Sequence, residues 1–172
     1  MAQQDTVAKK TTLTAAVLYS SNISYYGQST NEALPYVLAN ATLRLPIGIF
    51  FSAGSYQLLN YGSGLSETDL GLGYDRDLTE QLNLGISYTR SFFPSNSPLL
   101  QASNTNNVNL SAVYALPIFK STFSADYAFG KQEDIFLSLN AAKEVVLGSF
   151  FSDKNIFYIE PAIELVAGTR HF

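Results

Sequence analysis

The chain reads as an all-β, antiparallel up-and-down transmembrane β-barrel, and three observations predict it. Apolar and polar residues alternate along segments of about ten residues. These segments follow one another with almost no helical pattern between them. Their connections mostly alternate between long and short, as when one end of a barrel carries loops and the other tight turns. The stretch "TDLGLGYDRDLTEQLNLGISYTR" shows the pattern well. Leu70, Leu72 and Tyr74 share one parity against Asp69, Gly71, Gly73 and Asp75; then Leu82, Leu84, Ile86 and Tyr88 stand against Asn83, Gly85, Ser87 and Thr89. Side chains of a strand point alternately to opposite faces, so each segment has one apolar and one polar face.

The first strand is expected over residues 12–26, with Leu13, Ala15, Val17, Tyr19 and Ile23 in phase. The second, 36–45, sets Val37, Ala39, Ala41, Leu43 and Leu45 against Tyr36, Asn40, Thr42 and Arg44. The third, 49–61, loses its phase between Phe51 and Tyr56, where Gly54 suggests a bulge. The fourth and fifth are the pair quoted above. The sixth, 107–116, alternates Val108, Leu110, Ala112, Tyr114 and Leu116 with Asn107, Asn109 and Ser111. The seventh, 121–130, sets Phe123, Ala125, Tyr127 and Phe129 against Thr122, Ser124, Asp126 and Gly130. The eighth, 134–147, blurs its parity in "AAKEVVL". The ninth, 155–170, places Phe157, Ile159, Ile163, Leu165 and Ala167 opposite Tyr158, Glu160 and Glu164.

Composition narrows the function classes. With 172 residues the chain has the length of one domain. It has no Cys, which excludes disulfides and thiolate chemistry. Its ten basic residues are scattered and the net charge is −4, so nucleic acid is not an expected partner. Charged residues make up 14%, well under the roughly 25% of soluble domains, and Ser, Thr, Asn and Gly take their place. No apolar run is long enough for a transmembrane helix. The start, "MAQQDTVAKKTT", has no apolar run either, and reads as a mature N-terminus without signal peptide behind an initiator Met1. Residues 1–11 are therefore expected as a polar tail and 12–172 as the barrel domain.

Three features point the apolar face toward lipid. The polar face is rich in Gly, Ser, Asn, Thr and Asp rather than Lys and Glu, as a crowded barrel interior requires. Strands of about ten residues, tilted by ~45°, span the ~25 Å apolar band of an outer membrane. Aromatics gather near strand ends: Tyr25, Tyr26, Tyr36, Tyr61, Phe92, Phe93, Phe119 and Phe129. The alternative is a soluble β-sandwich or a lipocalin-like binding barrel, which shows the same alternation with its apolar face inward.

The segment "LGLGYDRDLTEQLNLGISYTRSFF" resembles the strand–turn–strand units of bacterial outer-membrane β-barrel proteins. "FSADYAFGKQEDIFLSLNAAKE" and "IEPAIELVAGTR" are similar to barrel proteins of the Bacteroidetes in particular. The resemblance implies an outer-membrane location, outer-membrane lipid or detergent as surroundings and the barrel-assembly machinery as a partner. Such proteins commonly end on a lipid-facing Phe, but Phe172 shares the parity of Glu160 and Glu164. Single-chain bacterial barrels have even strand counts, whereas nine segments are visible here. The expectation is thus about eight to ten strands in this chain, or part of a barrel of about twelve completed by partner strands.

No catalytic, cofactor-binding or metal site is expected. Barrel enzymes that modify lipid, the second alternative, rely on a catalytic His; the only one here is His171, beside the chain end and without a Ser two residues on. The parities send Arg44, Asp69, Asp75, Asp126, Glu160 and Glu164 inward. Charges in a narrow interior must be paired, hydrogen-bonded or wet. They are expected either as an Arg–carboxylate network plugging the barrel or as the lining of a small cation-preferring pore. The functional expectation is an integral outer-membrane barrel with a structural, binding or small-pore role and no catalysis.

Overall fold

The computed structural model describes residues 10–22, 24–25, 28–29, 34–60, 64–95, 97, 104–149 and 156–169. Among these there is no helix. The strands are β1 Thr12–Ser20, β2 Ser24–Tyr25, β3 Gln28–Ser29, β4 Tyr36–Arg44, β5 Ile49–Leu58, β6 Glu67–Asp77, β7 Leu82–Phe92, β8 Asn106–Ala115, β9 Lys120–Phe129, β10 Glu133–Ala142, β11 Val145–Ser149, β12 Ile156–Ile159 and β13 Ala162–Gly168. Nine of them form one sheet in the order β1-β4-β5-β6-β7-β8-β9-β10-β13; β11 pairs with β12, and β2 with β3. Every neighbouring pair is antiparallel, so the sheet is an up-and-down meander. β1 and β13 stand at its two edges, and the order contains no closing pair between them.

Three expected boundaries change, each for a local reason. The first strand stops at Ser20, not 26. There Ser20 Oγ donates to the Asn22 carbonyl, and Asn22 Oδ1 accepts from the Leu34 amide at 2.9 Å, so side chains take over from the ladder. Gly54 makes no bulge, since β5 runs in unbroken register against both β4 and β6. The last two segments are each divided, yet they form one long hairpin. Ala142 faces Ala162 and Val145 faces Ile159 without change of register, and the gap falls at Pro161, which has no amide to donate. Lys143 N still donates to the Pro161 carbonyl at 3.1 Å.

The connections 45–48, 78–81 and 116–119 are tight and lie at one end of the sheet, the turn end. Gly48 makes the first possible with φ +94°, a value that disfavours any side chain, and a Cβ there would strike the Asp75 carbonyl. Thr79 shapes the second, its Oγ1 accepting from the amides of Gln81 and Leu82 at 3.2 and 3.0 Å. The last residues of β1, β5, β7 and β9 and the first of β4, β6, β8 and β10 mark the opposite, loop end. The ribbon of β11 and β12 runs past the sheet at the turn end, which makes that end less uniform than the sequence pattern suggests.

Among the described residues no strand packs on either face: each makes its substantial contacts with its hydrogen-bonded neighbours. The two faces nevertheless differ in exposure. Along β6, Leu70, Leu72 and Tyr74 are exposed, while Asp69, Gly71 and Asp75 are half-buried and Gly73 is buried. Among the described residues the buried apolar side chains are Leu58, Ala128, Phe136 and Ala142, and all four take the polar parity of their strands. The polar parity is thus the sheltered side, called the inner face below.

The strands are also staggered. A line perpendicular to them leaves β1 at Thr12, its first residue, and passes through Arg44, Phe50, Gly73, Ser87, Asn109, Asp126 and Phe136. It reaches β13 at Gly168, its last residue. Between strand midpoints the displacement is about seven residues over the sheet, equivalent to a strand tilt of about 30° at ~3.3 Å per residue and ~4.8 Å between strands.

Candidate functional site

Among the described residues charged side chains converge on the inner face, and glycine decides how. Phe50 lies opposite Gly73, and a Cβ on Gly73 would overlap the Phe50 ring. Phe136 lies over Gly168 in the same way. A Cβ on Gly85 would come within 2.7 Å of Ser111 Oγ, and one on Gly71 would meet Ser52 Oγ. These glycines are positions where the neighbouring strand already fills the space. Phe50 and Tyr56 explain the lost phase of the third segment: both are aromatics on the inner parity, Tyr56 with its ring 5.7 Å from that of Tyr36.

With Phe50 laid over Gly73, Arg44 at the end of β4 places its guanidinium 4.9 Å from the Phe50 ring centroid and forms an ion pair with Asp75. Asp69 accepts from Ser91 Oγ at 2.6 Å. Asp126 accepts from the side-chain amides of Asn107 and Asn109 at 3.2 and 2.9 Å. Glu164 takes the inner register opposite Asn140, on the exposed edge strand. Glu160 is placed differently from the expectation. It sits outside any strand in the break beside Pro161, with its carboxylate 3.9 Å from Lys120 Nζ. This pair lines a recess of about 250 Å³ with Leu116, Ile118, Phe119 and Glu144.

Sequence reasoning missed four inner charges, Asp134 of β10 among them. Lys120, Glu67 and Asp77 are terminal residues of β9 and β6, and they continue the inner parity. Starting the fourth and seventh segments one residue earlier would have found Glu67 and Lys120. Asp77 accepts from Asn83 Nδ2 at 2.8 Å, and Asp134, another inner acid, accepts from Asn104 Nδ2 at 3.0 Å. The charges are therefore sorted along the strands. Arg44 and Lys120 both stand at the turn end, each beside one acid. Asp69 and Asp126 lie toward the loop end and accept from neutral hydroxyl and amide donors. Ionised carboxylates held by neutral donors keep their negative field, which attracts cations.

Among the described residues no group of three or more His, Cys, Asp and Glu is placed to hold a metal ion. His171 and Phe172 lie outside the described residues, as do Ile23, Tyr26, Tyr61 and the tail 1–9. Comparison with protein-family models, characterised proteins and solved structures finds no match to the chain.

Proposed function

We propose that the sheet is the wall of a bacterial outer-membrane β-barrel, with its apolar face against lipid and its polar face around a narrow wet interior. Its role on this reading is structural, binding or permeation of small cations, without catalysis. The carrying observation is the inverted exposure of a single-layer sheet. Large apolar side chains stand exposed on the outer parity of every strand from β4 to β10, while Gly, Ser, Asn and Asp line the sheltered side. Monomeric soluble proteins rarely present contiguous apolar surface beyond a few hundred Å².

Three further features support it. On the outer parity of the nine-stranded sheet the charged residues are Arg76, Arg90 and Glu133, all at or within two residues of a strand end. Around Arg90 the polar groups satisfy one another: Tyr88 OH and Arg90 Nη1 donate to Asn106 Oδ1 at 2.7 and 2.6 Å, as befits an interfacial rim. The eleven residues of β7, tilted by about 30°, rise about 28 Å, near the ~25 Å apolar band of such barrels. Stagger of this kind is also what closing a sheet into a barrel requires.

A wet interior accords better with the site than a plug. The inner residues of β6–β9 between the strand ends are mostly Gly, Ser, Thr and Asn, and the two cations form separate pairs rather than a network. Purified protein should need detergent to stay soluble, migrate differently on gels with and without heating, and pass small cations across planar bilayers. Asp69→Asn with Asp126→Asn should lower the cation-to-anion permeability ratio. Folded monomer in plain buffer contradicts the membrane reading, and an anion-preferring conductance contradicts the pore.

A further inference from the structure

One cation of the outer face carries an inference that rests on the barrel reading. Arg90 lies beyond Ser87, the middle of β7, by about 9 Å toward the loop end at the tilt given above. That is near the edge of the ~25 Å apolar band, and a long Arg side chain reaches the headgroup layer from there. Its place is fixed by its neighbours. Asn106, directly opposite on β8 and buried, accepts from Arg90 Nη1 at 2.6 Å and from Tyr88 OH at 2.7 Å. The Asn106 amide is tied down in turn, donating to the Phe129 carbonyl at 3.0 Å and to Thr105 Oγ1 at 3.2 Å. The guanidinium also lies 5.9 Å from the ring centroid of Phe92, the next outward residue toward the loop end.

What this setting lacks is an anion. The bond to Asn106 uses one guanidinium N–H, and among the described residues Arg90 has no ion pair. Its row across the sheet reads Leu70, Arg90, Asn106, Phe129, Glu133, so the first acid in that row stands three strands away, about 14 Å. Arg76, the cation near the other end of the outer face, has neither a hydrogen bond nor a ring partner among the described residues. A positioned charge beside hydrocarbon is costly unless an anion meets it. We infer that Arg90, held by Asn106, binds the phosphate of an anionic membrane lipid in the leaflet at the loop end. A guanidinium offers paired N–H groups to two phosphate oxygens, and its charge complements the headgroup. A zwitterionic lipid carries its own cation beside the phosphate and competes poorly for this place.

The chain has no tryptophan, so a single one reports on its own surroundings. Val108→Trp places it on the outer face of β8, opposite Tyr88 and one row from Arg90. Val37→Trp, on the outer face of β4 near the loop end, is the remote control. The full chain is reconstituted in phosphatidylcholine mixed with phosphatidic acid, one or the other brominated high on its acyl chains, so that contact quenches the fluorescence. At 108, phosphatidic acid should quench as if enriched about fivefold over phosphatidylcholine, the scale of one Arg at an anionic lipid surface. At 37 it should show no enrichment. Arg90→Gln should abolish the enrichment at 108, while Arg76→Gln and added inorganic phosphate should leave it in place. Enrichment that inorganic phosphate removes assigns the site to the free ion and overturns the lipid. Enrichment equal at 37 and 108, or unchanged by Arg90→Gln, overturns the site as well. Equal quenching by both lipids at 108 overturns it and leaves the barrel reading intact, whereas no quenching by either lipid at 108 and 37 contradicts both.

Discussion

Along β7, Leu84 and Ile86 stand exposed, while Asn83, Gly85 and Ser87, one residue away on the other face, are half-buried. In a water-soluble sheet the relation runs the other way, because burial of the apolar face drives folding. The comparison teaches that the two faces are shaped by different constraints. The outer face has to be apolar between its ends and little else, which is why Leu, Ile, Val, Phe and Tyr interchange there. The inner face has to fit, since Phe50 needs Gly73, Phe136 needs Gly168, and Arg44 lies over the Phe50 ring where it pairs with Asp75.

The comparison breaks most readily at mid-strand. Ile86→Arg, one residue from the middle of β7, should cost about 2–4 kcal/mol of refolding free energy in lipid vesicles, the penalty for Arg on the lipid face near the bilayer centre. Asn83→Arg, on the inner face near the turn end, should cost less than about 1 kcal/mol, the scale of an ordinary surface change. Equal costs at both positions would erase the distinction between the faces.

A smaller effect tests the fit of the inner wall. Gly73→Val inserts a side chain where the Phe50 ring lies and should destabilise by about 1–3 kcal/mol, as overpacking does. Combined with Phe50→Ala it should cost less than the sum of the two single changes, by about 1 kcal/mol in a double-mutant cycle. Additive costs would mean that the two positions do not meet.

Smaller still is the effect of the ion pair. Arg44→Gln should lower stability by no more than about 1 kcal/mol, because the Arg44 side chain is partly exposed and solvent screens the pair. It should raise cation preference in bilayers, since a fixed positive charge leaves the inner face. A fall in cation preference would remove Arg44 from the wall of the pathway.

Much of this was legible in the sequence, and the exceptions have physical causes. The period-two alternation located the nine strands because one-sided sheets repeat every second residue whichever medium lies outside. It placed Arg44, Asp69, Asp75 and Asp126 on the inner register for the same reason. Phe50 and Tyr56 were not legible, since an inward aromatic looks like a phase error until the opposing glycine is known. Glu160 obeyed the parity of the ninth segment, but Pro161 interrupts that strand and parity has no meaning in the gap. Lys120 and Glu67 were missed because strand ends are set by hydrogen bonds to neighbours that a single segment does not reveal.

The claim that lipid lies against the even-numbered face of β7 can be tested directly. The chain has no cysteine, so each residue from 83 to 89 can be changed singly to Cys and spin-labelled without background. In vesicles, collision with oxygen, which concentrates in lipid, and with a water-soluble nickel chelate should alternate with period two. Positions 84, 86 and 88 should favour oxygen and exclude nickel, while 83, 85, 87 and 89 should show low oxygen collision. Nickel access at 84, 86 and 88, or no alternation along the strand, would contradict the account.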